Sequence, residues 1–349
     1  MEVHRLAVAG RVPEIARVVG DRVARVWLPR SRFADVAALA TATLTLGPDA
    51  GSYYDLGWAQ SSTGQPRQAL ANYEQALHRY REAGDRANEG ATLNNIGLVY
   101  RRLGDRQRAL DYYRQALPIR REVRDRGGEA TTLTNIGAVY HELGDRQQAL
   151  DYYRQALPIR REVGDRAGEA ATLNNIGLVY SRLGGRQQAL DYFRQALPIT
   201  REFGDRAGEA TTLNNIGAVY YGLGERQRAL DYSQRALSIR REVGDRAGEA
   251  ATLTNIGAVY HGLEDRQQAL DYYRRALPIL REVGDRAVEA VARYRIAMIY
   301  RADRDLDRAV GELEIVVDLD RQVESPDLEA DTSMLEQVRR ERAEARSAT

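Results

Sequence analysis

The sequence predicts an all-α fold, a solenoid of stacked helix–turn–helix units, and three observations carry that prediction. The phrase Asn-Ile-Gly recurs at Asn95, Asn135, Asn175, Asn215 and Asn255, a fixed period of 40 residues. Within each period, two stretches place apolar residues at helical spacing. Glycine and aspartate punctuate the joints between those stretches. Residues 130–169 and 250–289 are identical at 34 of 40 positions, so a single unit has been copied along the chain.

Taken in order, residues 1–49 form an N-terminal helical cap broken at Pro13 and Pro29, with Ser31 capping a helix through Leu46. Seven units of about 40 residues follow, at 50–89, 90–129, 130–169, 170–209, 210–249, 250–289 and 290–325. In the 170–209 unit, Leu173, Ile176, Tyr180 and Leu183 make one apolar stripe of the first helix, and Gly184 stops it in a left-handed conformation. Ala189, Leu190, Phe193, Ala196, Leu197 and Ile199 mark the second helix, which ends at Gly204. Asp145 and Gln148 have capping-box spacing, and Asp165 stands where an N-cap precedes the next first helix. Gly177 and Ala189 are small enough to let the paired helices approach closely. Pro118, Pro158, Pro198 and Pro278 fall inside second helices, where each removes a backbone hydrogen bond and predicts a kink. Residues 326–349 form a highly charged C-terminal capping helix to about Ala345, with Leu328, Leu335 and Val338 as its buried edge.

Composition narrows the function. The 51 basic residues nearly cancel the 50 acidic ones, for a net charge of +1. That balance argues against a nucleic-acid groove or a polybasic membrane anchor. Every basic residue is arginine, which removes a Walker A lysine, a Schiff-base lysine and a lysine general base; GC-rich coding is the simplest cause. Cysteine is absent, and with it disulfides, thiolate nucleophiles and cysteine metal sites. The four histidines, His4, His78, His141 and His261, are too dispersed to share a metal or a proton. No HExxH, Gly-rich phosphate loop or serine elbow is present, so the expectation is a protein that is not an enzyme and has no cofactor or metal. The start, Met1 to Arg5, lacks a signal-peptide layout, and the longest neutral stretches, such as Val36 to Pro48, fall short of the roughly 20 apolar residues of a membrane span. A soluble, cytoplasmic protein is expected.

Leu173, Ile176-Gly177, Tyr180, Ala189, Phe193 and Ala196 stand at the signature spacing of the tetratricopeptide repeat, and the resemblance covers about four-fifths of the chain. It implies a right-handed solenoid whose first helices line a concave face. The period departs from the usual length of about 34, and the extra residues fall after Ala196, lengthening the end of one helix and the start of the next. Long units with a Gly-Asp-Arg-Ala turn, as at Gly164 to Ala167, resemble those of the Partner-of-Inscuteable spindle adaptors. They are also similar to repeats attached to bacterial signalling ATPases and caspase-like proteases.

On the expected concave face lie Asn95, Asn135, Asn175, Asn215 and Asn255, with Asp55 and Arg295 at the same register position in the first and last units. Asn94, Asn174 and Asn214 precede three of them, with Thr134 and Thr254 in the other copies; Leu98 and Leu178 alternate with Ala138, Ala218 and Ala258. An amide can pair with both the N–H and the C=O of an extended peptide. Helices about 10 Å apart would give each asparagine roughly every third peptide residue, about 12–15 residues in all. Kinesin light chains and the glycosyltransferase that modifies serine with N-acetylglucosamine look similar here. The same asparagines can equally hold adjacent helices together.

Arg101, His141, Ser181, Tyr221, His261 and Arg301 occupy the most varied position of the face and are the candidates for specificity. Arg101, Arg102 and Arg182 give a mild positive bias that Glu142 interrupts. Spindle adaptors of this type grip acidic peptides with arginines near the start of the first helix. Ala91, Thr131, Ala171, Thr211 and Ala251 stand there, which argues against a strongly acidic ligand. Trp58 is either an aromatic anchor or a packing contact to the N-terminal cap. Tyr100, Tyr140, Tyr180, Tyr220 and Tyr260 are expected in the core; Tyr112, Tyr152, Tyr192, Tyr232 and Tyr272 are expected between units or on the convex face. Pairs such as Arg201-Glu202 and Asp205-Arg206 are expected to form a solvated ion lattice. The reading is a non-catalytic scaffold for a protein or peptide ligand. A sensing arm of a signalling ATPase or caspase-like protease, and a self-associating solenoid, are its alternatives.

Overall fold

The computed structural model describes residues 1–347 and therefore all but the last two residues of the expected 326–349 cap, which lie outside the described residues. Among the described residues every regular element is helical. The N-terminal helices are α1 (Glu2–Ala9), α2 (Pro13–Trp27) and α3 (Phe33–Leu44), with a single 3-10 turn at Leu28–Arg30. Seven helical pairs follow. They are α4 (Ala50–Ser62) with α5 (Pro66–Glu82), α6 (Arg86–Arg102) with α7 (Arg106–Glu122), and α8 (Arg126–Glu142) with α9 (Arg146–Glu162). Next come α10 (Arg166–Arg182) with α11 (Arg186–Glu202), α12 (Arg206–Gly222) with α13 (Arg226–Glu242), and α14 (Arg246–Gly262) with α15 (Arg266–Val283). The last pair is α16 (Arg286–Ala302) with α17 (Leu306–Val323), and α18 (Leu328–Ser347) closes the described chain. No helix among the described residues is long and apolar enough to cross a membrane.

The 40-residue period resolves into two 20-residue halves, each a 17-residue helix and a three-residue link, as in α8 and α9. In the link Leu143-Gly144-Asp145, Leu143 N–H closes the last turn on Val139 O at 2.9 Å. Gly144 then takes φ +82°, and Asp145 accepts the Gln148 backbone N–H at 3.1 Å. A left-handed residue followed by an aspartate N-cap satisfies orphan groups on both sides of the joint. Arg124, Glu264 and Arg304 adopt the same left-handed conformation without being glycine. Gly185 and Glu225 stand at cap positions and make no side-chain cap bond.

Close approach within a pair has a steric cause. A Cβ on Gly137 would sit 2.8 Å from the ring of Tyr153, and Gly177 stands in the same relation to Phe193 at 2.6 Å. The ring packs where a side chain would otherwise be. Ser233 replaces the aromatic opposite Gly217. The fully buried aromatics are thus Tyr73, Tyr113, Tyr153, Phe193 and Tyr273. The Tyr100 series, expected in the core, is only partly buried except for Tyr220, and stacks instead on the Tyr112 series of the same pair at 5.3–5.5 Å. Leu183, assigned above to the buried stripe, is half exposed at the joint because it lies beyond the last packed turn. The prolines lie on exposed faces of helices that run on to their ends, as Pro118 does in α7. There the carbonyl left without an N–H partner faces solvent.

The first of two compact units, residues 1–175, holds α1–α3 and the first helical pairs, each packed on the next. Ser31 is not the cap expected of it: it adopts φ +56°, and Arg32 precedes α3 without a side-chain cap bond. In the second unit, residues 176–347, one buried cluster runs from Ala189 to Val338. Leu335 and Val338 of α18 are buried against it, and Leu328 packs at its border.

The charged lattice is not simply solvated. Glu129 is 5% exposed and accepts from Arg121 at 2.8 Å and from Arg126 at 2.5 Å. Arg126 also reaches Glu162 at 2.6 Å. Glu89, Glu209 and Glu249 are clamped in the same way. For Glu209, burial works to raise the carboxyl pKa, but Arg201 and Arg206 outweigh it and hold the group below its ordinary range. A buried carboxylate with two guanidinium partners is a structural clasp where one pair leads into the first helix of the next.

Candidate functional site

Five first helices carry an asparagine at the same register position, Asn95, Asn135 and Asn175 in the first unit and Asn215 and Asn255 in the second, and the amides of Asn95, Asn135 and Asn255 reach across to the preceding pair. In the first unit, Asn95 Nδ2 donates to Tyr54 Oη at 2.9 Å, and Asn135 Nδ2 donates to Asn94 Oδ1 at 3.1 Å. Asn94 Oδ1 also accepts from the Thr132 hydroxyl at 3.2 Å, so one carbonyl ties α6 to α8 twice. In the second unit Asn255 Nδ2 donates to Asn214 Oδ1 at 3.1 Å, the same contact three copies further on. The register explains it: a first-helix residue meets the residue 41 positions earlier, one period plus one. Thr134 and Thr254 turn their hydroxyls to Ala130 O and Ala250 O of their own helices instead.

These contacts divide the sequence candidates. Asn94 is buried, its carbonyl is engaged twice, and it is not offered to a ligand. Asn95, Asn135 and Asn175 in the first unit are partly exposed, with Leu98, Arg101 and His141 on the same side of their helices. Asn174 is partly exposed as well. In the second unit Asn214, Asn215, Asn255 and Leu178 are partly exposed, and Arg182 and Tyr221 are exposed. Arg101 pairs with Glu142 at 2.7 Å, and Arg106 stands 3.6 Å from the same carboxylate, so the positive bias of the first unit is largely offset. Arg102 donates to Ser61. In the second unit, burial together with Arg295 and Arg266 lowers the pKa of His261.

At the start of the first unit the row ends in a different residue. Asp55, at the asparagine position, is 9% exposed and lines a cavity of about 310 Å³ walled by Trp58, Tyr54, Tyr80, Leu28 and Pro29. Tyr54 meets Trp58 edge to face at 6.1 Å. Burial, with Asp21 and Asp49 nearby, pushes the Asp55 carboxyl up to about 7 against the opposing pull of Arg25. Trp58 lines this cavity beside Leu28 and Pro29 and is 39% exposed. Sequence reasoning placed Asp55 in the row without seeing its burial. It also missed Tyr54 as the partner of Asn95, and the buried glutamates, although their recurrence at 89, 129, 169, 209, 249 and 289 was a visible signal.

His4 is buried and bonded to Thr43 Oγ1 at 2.8 Å, and His78 lies 3.3 Å from Glu82 on the surface. Among the described residues, no three His, Asp or Glu side chains are grouped as metal ligands.

Comparison with known proteins agrees with this architecture. Three solved structures are similar in fold. BtubC (BKLC) from P. vanneervenii is 24% identical over 63% of this chain and 92% of its own, with a TM-score of 0.56. A signal-transduction ATPase with numerous domains and a tetratricopeptide repeat sensor, from Pyrococcus horikoshii, is 15% identical with a TM-score of 0.67, and the match spans 94% of this chain but 49% of that one. A Rap protein complexed with competence and sporulation factor is 15% identical over 95% of this chain and 99% of its own, with a TM-score of 0.64. At these identities the likeness is one of fold. No protein of curated function matches the sequence. The tetratricopeptide repeat profile matches residues 63–122, 88–162, 128–202 and 208–282, together more than half of the chain, and the protein therefore belongs to the tetratricopeptide repeat family.

Proposed function

We propose that the protein is a non-catalytic scaffold that binds an extended peptide segment of a partner along its first helices. The observation that carries this is the asparagine row. Asn95, Asn135 and Asn255 each commit one amide N–H to the preceding pair and remain partly exposed. That bond fixes the orientation of the amide, leaving the second N–H and the carbonyl as a preorganised donor and acceptor for peptide backbone. Structural and ligand-binding roles are then two halves of one side chain. Leu98 and His141 in the first unit, and Leu178, Arg182 and Tyr221 in the second, would supply side-chain selectivity. The tetratricopeptide repeat family and the Rap protein complexed with competence and sporulation factor support a protein or peptide as the partner class.

A selection of displayed 15-residue peptides tests this. Wild type is compared with a variant carrying Asn95, Asn135, Asn175, Asn215 and Asn255 all as alanine, after circular dichroism shows that the variant is helical. Peptides enriched on wild type and at least tenfold weaker on the variant support the reading. Equal binding to both moves the site elsewhere and overturns it.

A second reading rests on the likeness to the Pyrococcus horikoshii ATPase with its repeat sensor: this chain would be the sensing arm of a larger signalling system. It predicts that a selected peptide changes the activity of an ATPase or protease encoded in the same gene or beside it. A peptide that binds without any such effect leaves the scaffold reading alone.

A further inference from the structure

The cavity at the start of the first unit has a chemistry of its own. Three aromatic rings, Tyr54, Trp58 and Tyr80, and two apolar residues, Leu28 and Pro29, surround a carboxylate. Asp55 lines the cavity while 9% exposed, and no hydrogen bond or ion pair reaches it among the described residues. A buried carboxylate is ordinarily paired, because desolvating an isolated charge is costly. Arg25, the nearest cation on the lining, is already held by Asp21 at 2.9 Å. The remaining lining polar group, Asn88, caps onto Asp85 at 2.7 Å.

We propose that this cavity is a receptor for an organic cation on an apolar stem, an ammonium or guanidinium carried by the bound peptide, with Asp55 as its counter-ion and Trp58 as its aromatic wall. A cation over an indole or phenol face is attracted by the ring quadrupole, and the attraction grows when the site is desolvated. The volume, about 310 Å³, suits a side chain rather than a whole ligand. The cavity adjoins the first rung of the asparagine row, because Tyr54 lines it and also accepts the Asn95 amide. The inference rests on the peptide reading above for the source of the cation, and it turns that reading into a register: one basic group anchors the peptide at this end.

Charge around Asp55 sets the pH behaviour. Asp21 and Arg25 face it from α2, Asp49 from the N-cap of α4, and Tyr54 and Tyr80 from α4 and α5. Burial pushes the Asp55 carboxyl up to about 7, and a cation binds its ionised form. Affinity therefore rises with pH through that value, about tenfold between pH 6 and pH 8.

The test uses the full chain with Trp27→Phe, which leaves Trp58 as the only tryptophan and its fluorescence as a local reporter. Three cationic probes, N-acetyl-lysine N-methylamide, N-acetyl-arginine N-methylamide and leucinamide, are titrated beside neutral N-acetyl-norleucine N-methylamide. At least one cationic probe is expected to bind saturably, at least tenfold tighter than the neutral one and about tenfold tighter at pH 8 than at pH 6. Asp55→Asn is expected to abolish both differences. The probe that binds tells whether a lysine, an arginine or a peptide N-terminus is the source. Equal response to the neutral probe, or to none of the four, overturns the proposal on the wild-type cavity without relying on the variant. These probes are too small to span the asparagine row, so a cavity that responds with no selected peptide, or the reverse, separates this proposal from the peptide reading.

Discussion

The first and last helical pairs, α4/α5 and α16/α17, depart from the internal repeats at the same places and with opposite results. At the asparagine position the first pair has a buried Asp55 and the last an exposed Arg295. The last pair also carries a buried charge, Arg293, where the preceding copy has Leu253. Arg293, however, donates to Glu289 at 2.9 Å and to Glu312 at 2.5 Å, and Glu312 stands where the preceding copy has Tyr272. One end has exchanged an apolar pair for an ion pair that satisfies itself. The other holds a carboxylate that nothing in the first unit satisfies. The contrast teaches that burial of charge alone does not mark a site; a buried charge without a partner does.

The largest effect should come from breaking the paired end. Arg293→Ala strands Glu312, while Glu289 keeps its bond from Arg281 at 2.9 Å, with an expected loss of about 3–5 kcal/mol. The double change Arg293→Leu with Glu312→Tyr restores the residues of the preceding copy and should recover most of that loss. Hydrogen exchange of α16 and α17 amides measures both, because a repeat array need not unfold as a single two-state transition. A double variant no better than Arg293→Ala would show that the end pair tolerates no internal-repeat core.

Next in size is the unpaired end. The folded-state pKa of Asp55 is raised above that of the unfolded chain, so the native state binds more protons and stability falls as pH rises from about 4 to about 7. Asp55→Asn, which restores the residue of the internal copies, should be close to neutral at pH 4 and stabilising by roughly 2–4 kcal/mol at pH 8. Exchange of α4 amides at the two pH values checks it; a pH-independent difference would mean that Asp55 has a partner in solution. Glu209 runs the other way. The pKa of Glu209 is held below its ordinary value, so its contribution is present above about pH 4.5 and is lost as pH falls through the folded value.

Smaller effects sharpen the same comparison in the links. The first pair turns at Gly64 with φ +77° and the last at Arg304 with φ +63°. Arg304→Gly should therefore stabilise the last pair by about 1 kcal/mol, and Gly64→Ala should cost the first a similar amount. The smallest change is in the row itself. Asn135→Ala, which removes the bond to Asn94, should cost about 0.5–1.5 kcal/mol, read from thermal unfolding.

Much of the fold was legible because its causes are local. The link Leu143-Gly144-Asp145 carries a left-handed glycine and a capping aspartate within three residues, and such signals survive without tertiary context. Gly177 facing Phe193 was legible for a related reason, since both lie in one helical hairpin. Ser31 misled because a serine before a helical run is a cap only if its backbone is extended, and here it is left-handed. Leu183 misled because periodicity continues past the point where the neighbouring helix can cover it.

The sequence by itself thus determined the period, the two helices of each unit, their joints, the family and the row of asparagines, all properties of one 40-residue unit or of its recurrence along the chain. Only the tertiary structure decided what those residues meet. Asn135 finds Asn94 41 positions away, Glu129 is buried between two arginines that the sequence leaves looking solvated, and Asp55 faces an aromatic cavity instead of open solvent. The reason is physical: helix formation follows from nearest-turn energetics, whereas burial and pairing of charge depend on which surfaces stacking brings together.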